Sequence, residues 1–135
     1  MTKIPENALI VVADGEGARL FRNQGTPTSI SLHQFDLIEL MDTGDQGPGG
    51  AMPGEASDKQ IEEATFAKLL AKGLNEGALN HRYEQLVLVA DPITLGRIRP
   101  QLHKEVQQRL LAEVAKTLTN SPVEDIEKSL KALAA

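Results

Sequence analysis

The sequence predicts a single α/β domain, residues 1–135, with a mixed β-sheet and helices on its faces. Two continuous apolar runs of strand length, ALIVVAD (8–14) and QLVLVAD (85–91), are typical of central strands buried on both faces. A short Gly-rich turn links the first run to a second strand pattern, which indicates an antiparallel hairpin. The spacing of apolar residues then becomes helical, so a helix should connect the hairpin to the second buried strand.

The first third of the chain predicts an antiparallel meander. The turn at 15–17 leads into the alternating stretch ARLFRNQ (18–24), and GTP (25–27) makes the next turn. Apolar and polar residues alternate again in SISLHQFDLIEL (29–40), but the apolar face switches near its middle. This switch predicts a third strand that is long and either bent or bulged.

A helix is predicted from the capping box Ser57-x-x-Gln60 to about Leu79. Gly73 and Gly77 lie inside it, and each lowers helix stability by roughly 1 kcal/mol relative to alanine. Close packing against the sheet would explain two glycines at these positions, as would early fraying of the helix.

The second buried strand ends at Asp91, which is expected to be the N-cap of a short helix with Pro92 in its first turn. Pro100 should end that helix, after which 102–111 resumes helical spacing. The stretch 109–120 fits a helix and a strand equally well, so periodicity alone leaves it open.

The end of the chain predicts a further helix. Ser121, Pro122 and Glu124 combine an N-cap, a first-turn proline and a capping-box acid. The apolar residues that follow at helical spacing, including Ile126 and Leu130, should face the core.

The amino-acid composition and net charge exclude or disfavour several classes of function. The chain has no cysteine, which excludes disulfides and thiolate metal sites, and its net charge of −5 argues against a general nucleic-acid binder. The N-terminal apolar run is too short for a signal peptide or a membrane span. We therefore expect a soluble cytoplasmic protein with no membrane partner and no cofactor. The sequence does not predict its oligomeric state.

The most unusual stretch is GDQGPGGAMPG (44–54), which holds five glycines and two prolines within a predicted flexible loop at about 41–56. Mobile loops often carry binding residues, so a partner could order this segment. Its candidate binding residues are Gln46, Gly47, Gly49, Gly50 and Met52. The alternative is a disordered connector with no role. The segment is not a phosphate-binding P-loop, because no Gly-Lys-Ser/Thr sequence follows it.

Asp14 and Asp91 end the two apolar strands and would approach each other if those strands were neighbours. Paired carboxylates at strand ends can hold divalent metals, although a third carboxylate such as Glu62 or Glu63 would be needed. The favoured interpretation is local: Asp14 suits a turn and Asp91 a helix N-cap.

The positive charges form a second candidate surface. A basic face for RNA or an acidic partner would comprise Arg97, Arg99, Lys104 and Arg109, although solvated helix charges are the commoner explanation. Arg19 is expected to pair with a nearby acid. The three histidines lack metal-ligand spacing and no catalytic nucleophile is recognisable, so no catalytic residue is predicted.

Three ordered stretches resemble one family. ALIVVADGEGARLFRN, LVLVADPITLGRIRPQLHKEV and AEVAKTLTNSPVEDIEKSL are similar to the bacterial host attachment protein family, named for attachment of a plant-associated bacterium to its host. That family is similar in turn to the middle domain of the class-one peptide release factors of eukaryotes and archaea. The resemblance implies a ribonuclease H-like sheet of mixed direction, and it favours a strand at roughly 110–118.

The release-factor middle domain carries a Gly-Gly-Gln loop between a strand and a long helix, and its glutamine helps water attack the peptidyl-tRNA ester. Here Gly49 and Gly50 occupy the corresponding place, but Ala51 follows them and Gln46 precedes them. The catalytic residue therefore does not carry over, and the acidic flanks of the loop would repel an RNA backbone.

The resemblance and these residues together predict a non-enzymatic binding module associated with the ribosome, RNA or another protein. One alternative is a divalent-metal nuclease or hydrolase that uses Asp14 and Asp91. Another is a protein-interaction factor that affects host attachment indirectly.

Overall fold

The computed structural model describes residues 4–15, 17–36, 40 and 59–134, with the side chains of 59–64 and Ala134 excepted. Five strands form its sheet: β1 (Leu9–Ala13), β2 (Ala18–Asn23), β3 (Leu32–Phe35), β4 (Leu86–Ala90) and β5 (Leu110–Ala115). Four α-helices accompany them: α1 (Lys59–Leu79), α2 (Pro92–Ile98), α3 (Lys104–Arg109) and α4 (Val123–Ala134). A 3₁₀ turn, Arg99–Gln101, joins α2 to the segment before α3.

The strands are ordered β3-β2-β1-β4-β5 across the sheet. The β1–β2 and β2–β3 pairs are antiparallel, whereas β4 pairs in parallel with both β1 and β5. The predicted meander and the crossover to a parallel strand are therefore confirmed. This mixed sheet also agrees with the ribonuclease H-like architecture that the family resemblance implies.

The stretch 109–120, which periodicity left open between helix and strand, contains the end of a helix and a strand. Helix α3 ends at Arg109 and strand β5 begins at the next residue. The strand is shorter than the implied 110–118, since it ends at Ala115. Residues 110–115 form a strand because they pair with β4. A helix there would leave the backbone groups of β4 that face β5 without hydrogen-bond partners.

Each face of the sheet has its own aliphatic core. One face packs Val11 and Leu88 against residues of α1, α2 and α3. The other face packs Ile10 and Val87 against Ile126 and other residues of α4. The continuous apolar runs follow from this arrangement, because alternate side chains of β1 and β4 enter different cores and both kinds must be apolar.

The third strand is shorter at its start than its sequence pattern predicts. Thr26 and Ser29 exchange backbone hydrogen bonds at 3.1 Å, and Gln24 N donates to Ser31 O at 2.7 Å. These bonds fold 24–31 into a turn, so regular pairing begins at Leu32. Residues 37–39 of the predicted strand lie outside the described part of the chain.

Gly77 marks a close approach, although not to a strand as predicted. A Cβ atom there would lie 3.0 Å from Tyr83 Cε1 and 3.2 Å from Leu40 Cβ. Both neighbours are buried residues of connecting segments. The glycine therefore lets α1 pack against the chain that leads into β4.

No helix in the described ranges is both long enough and apolar enough to cross a membrane.

Candidate functional site

Four strands end at one edge of the sheet. Strands β1, β4 and β5 run parallel, and β3 shares their direction because it is antiparallel to β2. We call this the strand-end edge and define it by the residues that follow these strands: Asp14, Asp36, Asp91 and Lys116. Open α/β sheets bind ligands outside the carboxyl ends of their strands, which makes this edge the leading candidate site.

Asp14 joins two separate segments at this edge. Gly17 N donates to Asp14 Oδ1 at 2.9 Å, which closes the β1–β2 turn. Thr119 Oγ1 donates to Asp14 Oδ2 at 2.6 Å, from the segment between β5 and α4. The carboxylate therefore has the expected turn role and also anchors a segment 105 residues further along the chain.

Arg19 reinforces the same contact. Its Nη1 donates to Thr119 O at 3.2 Å and to Ser121 O at 2.8 Å. Its Nε donates to Gln34 Oε1 at 3.3 Å. The expected pairing with an acid is thus not what the described residues provide; the guanidinium binds backbone carbonyls at the start of α4. We call Asp14, Arg19 and Thr119 the α4 clamp.

Asp91 is the N-cap of α2, as predicted. Its Oδ2 accepts a hydrogen bond from Thr94 N at 3.1 Å, and its Oδ1 accepts one from Thr94 Oγ1 at 2.7 Å. Pro92 occupies the first turn, where its missing N–H leaves no helix hydrogen bond unmade. Ile93 beside it is 67% exposed, so this edge also carries an apolar side chain open to solvent.

The two aspartates lie on neighbouring strands, as the metal hypothesis requires. Ala13 pairs with Ala90 in the parallel register, and Asp14 and Asp91 follow these two residues. Both carboxylates, however, already accept the hydrogen bonds described above. Among the described residues no group of three or more His, Cys, Asp or Glu side chains could hold a metal ion, and Glu62 and Glu63 lie outside the described side chains.

The candidate loop residues are not part of the described chain. Gln46, Gly47, Gly49, Gly50 and Met52 all fall within 41–58, which lies outside the described ranges. The two flanking elements are described: β3 ends at the strand-end edge, and α1 begins at Lys59. In the order of the chain, the segment therefore lies between β3 and α1.

Arg99 and Arg109, two members of the proposed basic face, form internal ion pairs. Arg99 Nε donates to Glu113 Oε1 at 2.7 Å and its Nη2 contacts the same oxygen, which ties the 3₁₀ turn to β5. Arg109 Nη1 donates to Glu105 Oε1 at 2.9 Å. These pairs neutralise half of the predicted cluster, and Lys104 is exposed while Arg97 is half-buried.

Arg109 is less solvated than Arg99, since its side chain is only 11% exposed. Its Nε donates to Tyr83 O at 3.0 Å, so it joins the end of α3 to the segment before β4. The hydrogen bond from Arg109, assisted by its charge, lowers the pKa of Glu105. Arg109 is therefore a structural residue, and the interpretation as solvated helix charge is wrong for it.

Thr119 and Thr94 are the residues of this edge that the sequence did not reveal. Thr94 could have been found, because a threonine three residues after an N-cap aspartate is well placed to bond it. Thr119 could not, since its partner is remote in sequence and no local pattern marks the contact.

Comparison with known proteins identifies the family. The model of bacterial archaeo-eukaryotic release factor family 12 matches residues 7–130, which is nearly the whole chain. A relative in Rickettsia prowazekii (strain Madrid E), the uncharacterized protein RP470, is 28% identical over 85 residues, covering 62% of this chain and 57% of the relative. The chain thus spans little more than half the length of that relative. The release-factor part of the resemblance is confirmed, whereas the host-attachment part stays a prediction. The chain belongs to bacterial archaeo-eukaryotic release factor family 12.

Proposed function

We propose that this domain is a non-enzymatic module that binds the ribosome through the strand-end edge and the segment 41–58. The observation that supports this most is the position of that segment. It connects β3 to the long helix α1 in the order of the chain. In the release-factor middle domain that the sequence resembles, the loop between strand and long helix is the one that reaches peptidyl-tRNA.

Catalysis is not part of this proposal. Ala51 stands where the catalytic glutamine of the release-factor loop would follow the paired glycines. The carboxylates of Asp14 and Asp91 are committed to hydrogen bonds that shape the fold. The chain offers a partner its Gly/Pro-rich segment, and the strand-end edge offers the exposed side chain of Ile93.

The charges indicate how such binding should respond to salt. Arg99 and Arg109 are paired with carboxylates, and the charged residues from Asp36 to Asp58 are all acidic. A protein that neutralises many phosphates loses affinity steeply with salt, by about 10³ to 10⁵ between 50 and 200 mM for 6 to 10 contacts. We expect a much shallower dependence here, because two of the four residues of the proposed basic face are paired with carboxylates and the Gly/Pro-rich segment carries only acidic charges.

Sedimentation of the purified full chain with bacterial ribosomes tests the proposal. We expect the protein to pellet with ribosomes at ~50 mM and at ~200 mM salt. Ile93→Ser and replacement of residues 46–52 by a Gly/Ser linker should each reduce the pelleted fraction. Lys128→Gln, on the exposed side of α4, is the control and should have no effect. Absence of the wild-type protein from the ribosome pellet at low salt would refute ribosome binding.

The divalent-metal hydrolase remains a second candidate because Asp14 and Asp91 follow paired residues of adjacent parallel strands. Calorimetry with Mg²⁺ or Mn²⁺ separates the two. Heat that Asp91→Asn abolishes, together with nuclease activity, would favour the hydrolase. No heat and no nuclease activity would end that alternative.

The proposal places the protein in the cytoplasm, with the ribosomes. Cell fractionation that finds it outside the cell would contradict this and would favour the third candidate, a protein-interaction factor in host attachment.

A further inference from the structure

A cavity of about 430 Å³ lies at the opposite edge of the sheet. It forms where the chain enters β1 and β4, between residues 6–8 and 81–85, with Arg22 of β2 beside them. Leu9 N donates to Gln85 O at 2.9 Å and holds the two entering segments together. The cavity is separate from the strand-end edge, so a ligand could bind there whether or not the protein binds ribosomes.

Arg22 has a fixed position in the cavity wall. Its Nη1 donates to Asn7 O at 3.3 Å and its Nη2 donates to Arg82 O at 2.7 Å. The guanidinium carbon lies 5.1 Å from the centroid of the Phe35 ring, a cation–π distance. A ligand that contacts this guanidinium would therefore lose little affinity to ordering the side chain.

The backbone of the wall is also unusual. Asn7 has φ 72° and His81 has φ 57°, and these two are the non-glycine residues with positive φ in the described chain. Both line the cavity. Left-handed backbone at residues other than glycine persists where the surroundings enforce it, and it clusters at binding sites. The two segments are therefore held in one conformation around the cavity.

His81 presents a defined face. Its Nδ1 lies 3.4 Å from Arg109 Nη2, and arginine has no acceptor. In a hydrogen bond between these two atoms Nδ1 is the acceptor, which leaves Nε2–H as the donor of the ring. His81 adds a donor to the wall that also holds Arg22 and Arg82.

The cavity lining pairs these donors with two carboxylates, Glu6 and Glu84. Arginine is well suited to bind phosphate or carboxylate oxygens. Glutamates accept hydrogen bonds from hydroxyl or amine groups, but they repel a second anion. We propose that this cavity binds a small molecule with one oxyanionic group, phosphate or carboxylate, next to hydroxyl or amine groups. Its volume is within the usual range for small-molecule sites, about 300 to 1,000 Å³.

Two probes distinguish the sources of the oxyanion. Ribose 5-phosphate supplies a phosphate beside hydroxyls, and L-glutamine supplies a carboxylate beside an amine. Ribose without phosphate is the negative probe. In an amide-resolved NMR titration of the full chain, we expect one of the two charged probes to produce saturable shifts at residues 81–85. We expect no such shifts with ribose.

The variants are chosen to keep the backbone of the cavity wall in place. Arg22→Gln would remove two bonds to backbone carbonyls, so the test relies on Arg82→Gln and His81→Asn instead. The Arg22 bond at residue 82 goes to the backbone carbonyl and survives Arg82→Gln, while asparagine tolerates the left-handed backbone at residue 81. Each variant should weaken binding about 10-fold or more, as expected for a charge-assisted or polar contact.

Lys128→Gln is the matched control, since it removes one positive charge outside the cavity. Its affinity should equal that of the wild type. The inference is overturned if neither charged probe gives saturable shifts up to ~10 mM. It is equally overturned if Lys128→Gln weakens binding as much as Arg82→Gln does.

Discussion

The hydrogen bond between Thr119 and Asp14 should be a measurable part of the stability of this domain. Thr119 Oγ1 lies 2.6 Å from Asp14 Oδ2 in a partly buried position. Hydrogen bonds to charged groups contribute about 1.5 to 3 kcal/mol, and partial exposure favours the lower end of that range. Thr119→Val preserves the shape of the side chain and removes the hydroxyl, so we expect a loss of about 1.5 kcal/mol.

That loss translates into a change in melting temperature. The entropy of unfolding is about 2.1 cal/mol/K per residue, or about 0.28 kcal/mol/K for a chain of this length. Thr119→Val should therefore lower Tm by about 5 °C. Thr117→Val is the matched control, because Thr117 is exposed and lies on the same segment. Its Tm should stay within about 2 °C of the wild-type value.

A double-mutant cycle with Asp14→Ala isolates the pair. Asp14 also accepts from Gly17 N, so Asp14→Ala alone should be more destabilising than Thr119→Val. The coupling energy between the two substitutions, measured by urea unfolding, should be about 1 to 1.5 kcal/mol. Coupling below about 0.3 kcal/mol would refute the α4 clamp. If Asp14→Ala instead stabilises the protein, the carboxylates of Asp14 and Asp91 repel each other in the fold. That result is expected for two metal ligands without a bound ion.

Three further substitutions test the fold. Asn23→Ala should cost about 3 kcal/mol, or about 10 °C in Tm, because this buried side chain makes five hydrogen bonds to backbone groups; a loss below 1 kcal/mol would contradict that role. Gly77→Ala should be destabilising despite the better helix propensity of alanine, because its Cβ would press on Tyr83; thermal unfolding that shows a gain in Tm would contradict the close contact. Glu105→Gln should destabilise the protein at neutral pH but not at low pH: the contact with Arg109 lowers the pKa of Glu105 in the folded state, so its stabilising effect is complete above the unfolded pKa of about 4.3 and disappears as pH falls through the folded pKa. Urea unfolding should therefore show the wild type as more stable than the variant at pH 6 and equal to it near pH 2, and a constant difference at all pH values would contradict the assignment.

The family assignment gives the Gly/Pro-rich segment a more specific meaning. It joins β3 to α1 in a release-factor-family chain, which is the place of the catalytic loop in the domain that it resembles. The sequence of the segment lacks the glutamine after its paired glycines. This sequence is the reason for proposing contact with a partner, and the ribosome sedimentation experiment tests that proposal.

The sequence by itself determined the elements whose causes are local. The apolar runs predicted β1 and β4, and the turn at 15–17 predicted the hairpin of β1 with β2. Asp91 and Pro92 predicted the start of α2, because an N-cap and a first-turn proline act within a few residues. Periodicity could not resolve 109–120, where α3 changes to β5 without an intervening turn. Only the family resemblance favoured a strand there.

Tertiary structure decided which residues that are far apart in the sequence come into contact. The predicted partners of individual polar side chains changed for this reason. Arg109 looked like part of a solvated basic face, but folding places it against Glu105 and the carbonyl of Tyr83. Arg19 binds the carbonyl of Thr119, 100 residues away, where a nearby acid was expected. The cavity beside Arg22 is likewise built from segments that are far apart in the chain. Local patterns report the backbone conformation of a segment, whereas the partner of a polar side chain depends on how the strands are ordered in the sheet.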